Sequence, residues 1–564
     1  MLKNRRLWSG FTTIILVTIV SLSSIILSQA QENVLDSLVL TQFGNTYSMA
    51  NGIFFDSEDR LYIASVVGRE LIVMDPDFGE ILDRIGQERG VDSPDDVTIG
   101  PDSSVYWTDL LSGTVGRLEP DGTVTKQFIA PGVNPIAFND EGQLFVGLDF
   151  LGDALYEVDP NLQDTPRLIA ENLGNFNAFD FDPNGFLWGP LFSKGKIIMV
   201  VPGSGLIQEL FMEEGSFVVP VAVKFNSKGE LHVLDMVTAE VAKVDTILGS
   251  KEVIGKARIG SDNLAFDSQD RLFVSNNTDG SIIEILANGT NRIVNPGGMI
   301  TPSGVAVLPN PNGGETVFVS NQGARGLDGL TGEKVLFHFN ATSGIEGLTY
   351  SAAGEDLMIT SSWFANVVQI VDPFAGQVLE AYNDFALPLN AINFRGDLIV
   401  AELVSGPGAA RVTRADGRDP SQRTIIAGSA QNIFFPTGLA ATEDDLWVAD
   451  WATGNVWQLI SERVTLESPI LVAQGLSQPE GLAAAPDGSL LVVETGASRL
   501  SQIDLETGVV NVVAENLDVN VAGPEALVPT WMFNGVTIGP SGIIYVNGGG
   551  SKPVLYRIVT SFFN

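Results

Sequence analysis

Short apolar runs separated by polar turns fill the chain from Val34 onward, and one stretch displays the unit clearly. Run A (Gly52 to Phe55) and run B (Leu61 to Ala64) flank a polar turn. Run C (Leu71 to Met74) ends in Asp75-Pro-Asp-Phe-Gly79, and run D follows at once in Glu80-Ile-Leu-Asp-Arg-Ile85. Runs of about four to six residues rich in Ile, Val, Phe and Tyr, punctuated by Asp, Pro and Gly, predict antiparallel strands. No run is long enough for a helix.

Aligned on run B, the chain yields the column Tyr62, Tyr106, Phe145, Trp188, His232, Phe273, Phe318, Met358, Ile399, Trp447, Leu491 and Tyr545. The interval of roughly 40 to 50 residues is that of a four-stranded propeller blade. Turns from A to B such as Asn139-Asp-Glu-Gly142, Asp182-Pro-Asn-Gly185 and Pro486-Asp-Gly488 supply the residues that tolerate positive φ. Because a ring much wider than about eight blades leaves its centre unfilled, the column predicts an all-β fold of two six-bladed β-propellers in tandem, with four-stranded antiparallel blades.

The expected divisions are 1–30 for a signal peptide, 31–289 for the first ring and 290–564 for the second. The run Val34 to Phe43 has the character of a D strand, and the chain ends without a clear one. The closure expected from this is an exchange: the opening strand completes blade six, and Thr290 to Val294 completes blade twelve. No sheet edge is then left unpaired.

The N-terminus changes the picture of location. Lys3, Arg5 and Arg6 precede the apolar run Phe11 to Leu27, which ends in Ser28-Gln29-Ala30, the pattern of a cleavable secretory signal, with an uncleaved anchor as the rival reading. No other segment reads as transmembrane. With Cys 0, neither disulfides nor thiolate metal sites are available, so stability has to come from strands packed on strands. Loss of the signal removes three cations and no acids and takes the net charge from −37 to about −40. Such a surface repels nucleic acid and anionic lipid, and cations are its natural charged partners; the same surplus also serves solvation in a salty medium.

In radial blades, the D-to-A and B-to-C loops share one face, so two polar columns meet at each channel mouth. At the entry to run A stand Asn51, Asp95, Asn134, Asn177, Val221 and Asp262 in ring one, and Ser303, Glu346, Asn390, Thr437, Glu480 and Asn534 in ring two. Just after run B stand Ser65, Asp109, Leu148, Leu191, Asp235 and Asn276, then Asn321, Ser361, Glu402, Asp450, Glu494 and Gly548. Carboxylates and amides around one axis are the oxygen ligands of a hard cation such as Ca²⁺. Asn51, Asp95, Asp109 and Asp262 are the candidate metal ligands of ring one, and Glu346, Glu402 and Glu480 those of ring two. Asn134, Asn177, Asp235, Asn276, Asn390, Asp450, Glu494 and Asn534 are candidates for binding a small polar ligand, a glycan or a protein. The alternative for each is the capping of a turn.

The entry motifs Ala50-Asn-Gly-Ile53, Pro94-Asp-Asp-Val97, Ile345-Glu-Gly-Leu348, Pro479-Glu-Gly-Leu482 and Phe533-Asn-Gly-Val536, with B runs such as Leu446-Trp-Val-Ala-Asp450, resemble those of the six-bladed NHL and gluconolactonase/regucalcin-like propellers. The resemblance spans nearly all of the mature chain and implies the fold more specifically than an activity. In the lactonases of that group a divalent cation is held by a Glu, an Asn and an Asp of different blades, and an acidic residue assists water attack on the ester. Asn51 and Asp95 match the Asn and Asp steps, and Asn177 stands where the Glu is expected. In ring two, Glu346 is present, but Glu480 and Asn534 stand where Asn and Asp are expected. The broken triad favours an exported binding protein over a cation-dependent hydrolase of lactones or esters.

Other chemistry has less to build on. His232 and His338 fall in strand patterns, and no Cys nucleophile exists. Asn547-Gly-Gly-Gly550 has no following helix and reads as a flexible link rather than a phosphate loop. Trp363, Trp447, Trp451 and Trp531 fall near ring-two mouth positions where a ring could stack, with Trp447 expected in the core. Asn276, Asn288 and Asn340 satisfy the glycosylation pattern.

Overall fold

The computed structural model describes residues 38–41, 46–149, 151–210, 212–213, 215–320, 324–328, 335–338, 351–354, 357–363, 366–375, 377–403, 410–519, 533–550 and 552–559. They form twelve four-stranded antiparallel sheets, joined by turns and single-turn 3-10 segments. The all-β architecture of tandem propellers expected from the run pattern is what forms. The candidate signal segment 1–30, Glu346 and Trp531 lie outside the described residues. Among those described, no helix is long and apolar enough to cross a membrane.

The first strand of each sheet is innermost and packs against the first strands of its two neighbours. Ile53–Phe55, Pro94–Ile99, Val133–Phe138, Asp180–Phe181, Pro220–Phe225 and Ser261–Phe266 make one closed cycle, the last touching the first. Val305–Pro309, Ser351–Gly354, Pro388–Phe394, Pro436–Ala441, Pro479–Ala484 and Val536–Ile538 make the other. In blade eight the expected A run, Leu348 to Tyr350, lies outside the described residues, and Ser351–Gly354 pairs with Met358–Ser362.

Apolar residues on alternate faces of each sheet meet those of the next blade. Between blades one and two, for example, Tyr62, Ala64 and Leu71 pack on Val97, Val105 and Trp107. The polar seams between blades are specific. Across the closure of ring one, Ser275 Oγ donates to Asn51 O at 2.6 Å and Ser268 Oγ to Asp59 at 2.6 Å. Across that of ring two, Ser541 Oγ and Tyr545 OH both donate to Glu315 Oε1 at 2.8 Å.

The expected exchange of closing strands does not occur. Leu38–Thr41 pairs antiparallel with Pro553–Ile558 and completes blade twelve, with Leu38 opposite Ile558 and Thr41 opposite Leu555. Asn291–Asn295 pairs with Ile282–Ile285 and completes blade six. The reason is local. Leu286 O accepts from Gly289 N at 2.8 Å, and Gly289 sits at φ 79, so a tight turn returns the chain beside the strand it has just left. Blade twelve has no such downstream segment among the described residues, and the opening strand covers its outer edge.

Deleting residues 38–41 leaves blade twelve with three strands and an open edge. A calorimetric scan is expected to show the transition of ring two lowered by several degrees while that of ring one stays in place. Equal shifts of both would contradict this assignment of the opening strand.

Candidate functional site

The entry to each inner strand is where the chain comes nearest the axis, and there the ladder is irregular. Pairing skips between Pro94 and Asp96 and between Ser261 and Asn263, so Asp95 and Asp262 are the extra residues of two β-bulges. Register also shifts at Val133/Asn134, Pro388/Asn390 and Pro479/Leu482. A bulge bends its strand and re-aims one side chain out of the alternating pattern. Consecutive residues Asp95 and Asp96 can therefore both be buried.

The glycine of the entry motif has a packing cause. A Cβ at Gly52 would lie 2.6 Å from Asp96 Cα and 2.9 Å from Asp95 O; one at Gly481 would lie 2.5 Å from Asn534 O and 2.7 Å from Val536 N. Gly52 N donates to Asp95 O and Gly481 N to Asn534 O, each at 2.9 Å. At these two blade boundaries the inner strands hydrogen-bond where no room is left for a Cβ.

Ring one gathers acids at its mouth. Asn51 Nδ2 donates to Asp95 Oδ1 at 2.5 Å, Asn277 Nδ2 reaches Asp262 Oδ1 at 3.5 Å, and Asn134 Nδ2 reaches Asn177 Oδ1 at 3.4 Å. Burial, then the charges of Asp262 and Asp96, pushes the Asp95 carboxyl well up. Asp149 is likewise pushed well up by burial and then by Asp95 and Asp262. Burial and Asp96 bring Asp262 up to about 7. No lysine or arginine contributes to any of the three. Asn134 Oδ1 is withdrawn from solvent without a hydrogen-bond partner, and a hydrogen bond from Asn134 opposes the rise in Asp149.

One layer deeper the charges are answered. Asp96 accepts from Ile136 N at 3.1 Å and Asp180 from Phe225 N at 2.8 Å. Burial raises both, Asp96 to about 6, while the Lys224 ammonium of blade five opposes the rise in each.

The residues after run B do different work. Asp235 accepts from four backbone amides, those of Val218, Val219, Val237 and Thr238, at 2.6–3.0 Å. Asp450 accepts from Phe434, Phe435 and Ala452 at 2.9–3.2 Å. Asp109 takes Asp92 N at 3.0 Å and Lys126 Nζ at 2.8 Å. Glu402 takes Ala386 N at 2.8 Å, Arg411 Nε at 3.0 Å and Thr413 Oγ1; Glu494 takes Ser477 N at 2.9 Å, Arg499 Nε at 2.7 Å and Ser501 Oγ at 2.6 Å. Asn276 accepts from Thr278 N and Asp279 N and donates to Ile259 O at 3.0 Å. Each ties the loop entering its blade to the turn leaving run B. These side chains are not brought together with the entry column.

In ring two, burial pushes Glu480 up to about 8 against two donors, Asn534 N at 2.7 Å and Asn534 Nδ2 at 2.8 Å. Asn390 borders a cavity of about 410 Å³ whose other walls include Ile392, Leu439, Leu482 and Val536. The ring-two cavity thus has polar as well as apolar walls, with Asn390, Asn393 and Thr537 among its lining residues. Asn547 belongs to the strand Ile544–Gly549 and fixes the entry of blade twelve: it accepts from Gly535 N at 2.8 Å and donates to Pro302 O and Phe533 O at 3.0 Å. That stretch is ladder rather than flexible link. His232 packs edge-on against Phe266, and Trp447 is core, as expected.

Among the described residues, no three of His, Asp and Glu lie close enough to share one metal ion. Asp96, Asp149, Asp180 and Lys224 were absent from the expected site. Asp96 and Asp149 each follow a selected position, and the bulge that brings both Asp95 and Asp96 inward leaves no mark in the alternation of apolar residues.

The chain matches no protein-family model and no curated protein. Solved structures share its β-propeller character. It is similar to virginiamycin B lyase from Staphylococcus aureus at 13% identity, with a TM-score of 0.38 over 50% of this chain and 96% of that one. A streptogramin B lyase gives 13%, 0.38, 51% and 96% in the same order. The extracellular domain of the one-component system BT4673 from B. thetaiotaomicron covers more, 94% of this chain and 83% of that one, at 11% identity and a TM-score of 0.32. None of these likenesses bears on which ligand a channel takes.

Replacing Asp450 by Ala orphans three amides inside a buried turn, a loss of about 2–4 kcal/mol. Urea unfolding is expected to show it as a lowered midpoint for ring two. A change below about 0.5 kcal/mol would return Asp450 to the list of ligand groups.

Proposed function

We propose that this protein is an exported double propeller, of the NHL and gluconolactonase/regucalcin-like group, that binds a small polar ligand carrying positive charge at the mouth of ring one. The supporting observation is the set Asp95, Asp149 and Asp262: burial raises each carboxyl, Asp262 and Asp96 raise Asp95 further, Asp95 and Asp262 raise Asp149, Asp96 raises Asp262, and no basic residue opposes the rise in any of them. Buried charges without partners are expensive, and a cation from outside is the inexpensive remedy. A divalent ion or the cationic group of an organic molecule would serve, with the amides of Asn51, Asn134 and Asn177 beside it.

Binding is preferred to hydrolysis. Asn51 and Asp95, which match the Asn and Asp steps of the lactonase pattern, lie side by side, with Asn51 Nδ2 donating to Asp95 Oδ1 at 2.5 Å. Asn177, at the position of the expected Glu, lacks the carboxylate that the pattern needs to hold its metal.

The pH dependence has a definite sign. Asp262 sits at about 7 against an ordinary 3.8, so the folded state holds its proton more tightly than the unfolded state does. Its contribution without ligand is greatest below about pH 4 and is lost as pH rises to about 7, a change on the order of 2–4 kcal/mol. Cation binding runs the other way, weakening about tenfold per pH unit below about 7 as protons compete.

Thermal unfolding of the mature chain across this window, with and without a saturating cation, tests the reading. Asp262→Asn is expected to flatten the fall in stability between about pH 4 and pH 7 and to remove most of the cation's stabilising shift at about pH 8. An unaltered profile in that variant would rule out ring one as the site.

A further inference from the structure

We infer that the central shaft of ring two is a second binding pocket, which takes an uncharged organic molecule of two or three rings entering from the A-to-B turn face. It is separate from the proposed cation site of ring one. Its direction follows from how burial changes along the inner strands. At the entry end the described residues Ser303, Asn390, Thr437, Glu480 and Asn534 are all buried, none more than 6% exposed. Blades ten, eleven and twelve are also stitched together there: Thr437 Oγ1 donates to Pro479 O and Asn534 Nδ2 to Glu480 Oε2, both at 2.8 Å. At the far end of the same strands Ile392, Ala441, Ala484 and Ile538 are only half-buried, and Asn393 is exposed. Four blades share this gradient, so the shaft is shut where the polar columns stand and open on the opposite face.

The wall sets the chemistry of the ligand. Among the described residues that line the cavity of about 410 Å³ none is charged, in a chain of which 18% is Asp, Glu, Lys or Arg. An ion drawn into it would lose its hydration and meet no counter-charge. Polar groups are few and spread over the depth, with Asn390 at the closed end, Thr537 midway and Asn393 at the rim. Between them stand apolar side chains such as Ile370, Leu439 and Leu482. Walls of this kind suit a neutral, mainly apolar body that carries one or two hydrogen-bonding groups.

Size and approach narrow the class further. A cavity of about 150 Å³ lined by Leu, Ile and Phe accepts one benzene ring, so this shaft has room for two or three. The turns beside its open end carry Glu443, Asp444, Asp445 and Asp487 against Arg395 and Arg463. An anion of the same shape is therefore disfavoured before it reaches the wall.

Fluorescence titration of the mature full-length chain with the neutral three-ring probe N-phenyl-1-naphthylamine tests this, with 1-naphthalenemethanol, 1-naphthoate and 1-naphthylmethylamine as competitors at neutral pH. The competitors share one bicyclic body and differ in charge. Saturable binding at one site per chain is expected, with the alcohol displacing the probe at least tenfold more effectively than either ion. Ala441→Phe and Ala484→Phe, which fill the half-buried end of the shaft, are each expected to weaken the probe tenfold or more. Ile247→Ser, on an exposed turn of ring one, is expected to leave binding unchanged and so excludes adsorption to the apolar surface there. Circular dichroism checks the fold of each variant, and the competitor ranking on the unmodified chain stands by itself. A charged competitor equalling the alcohol would overturn the assignment of an uncharged ligand. Probe binding that does not saturate, or that survives both Phe substitutions in natively folded variants, would overturn the pocket.

Discussion

Six sheets that share an axis must bring their innermost strands into backbone contact, and the other features of the molecule follow from that crowding. At the point of closest approach there is no room for a Cβ, hence Gly52 and Gly481, and the amide of one blade donates to the carbonyl of the next. A hydrogen-bonded seam of this kind fixes the rotation of each blade against its neighbour. Apolar packing between the faces of adjacent blades supplies the bulk of the cohesion and is far less directional.

The same crowding creates the chemistry. Inner strands too close to remain regular acquire bulges at their entries, and the bulged residue is thrown toward the axis. Where that residue is Asp, as at Asp95 and Asp262, a carboxyl is carried into a narrow shaft that excludes most solvent. Burial favours the neutral form of both, Asp96 raises each further, and Asp262 adds to the rise in Asp95. Ring two shows how much depends on the residue delivered: the bulge at Pro479/Leu482 presents Glu480 to Asn534, and the shaft below is walled by Ile392, Leu439, Leu482 and Val536. One backbone device thus serves both axes.

The carboxylates at the ends of the second strands are equally buried and chemically quiet. Asp235 and Asp450 spend their oxygens on backbone amides, and Glu402 and Glu494 add an arginine each. A buried acid with its lone pairs engaged holds a turn.

The run pattern alone determined the strands, their grouping in fours, their number and the arrangement as two closed rings, because periods of two within a strand and of one blade along the chain are written in side-chain polarity. The entry column was also legible as polar. What polarity could not convey was pairing between distant segments and departures from regular alternation. Leu38–Thr41 joins blade twelve and Asn291–Asn295 blade six because a tight turn at Gly289 wins over a distant partner, a competition settled only in three dimensions. Likewise Asp95 and Asp109 look alike in sequence. Only the folded chain, by placing a backbone amide and Lys126 around Asp109 and no basic residue beside Asp149, Asp95 and Asp262, separates the acid that braces a loop from the acids of the ring-one mouth.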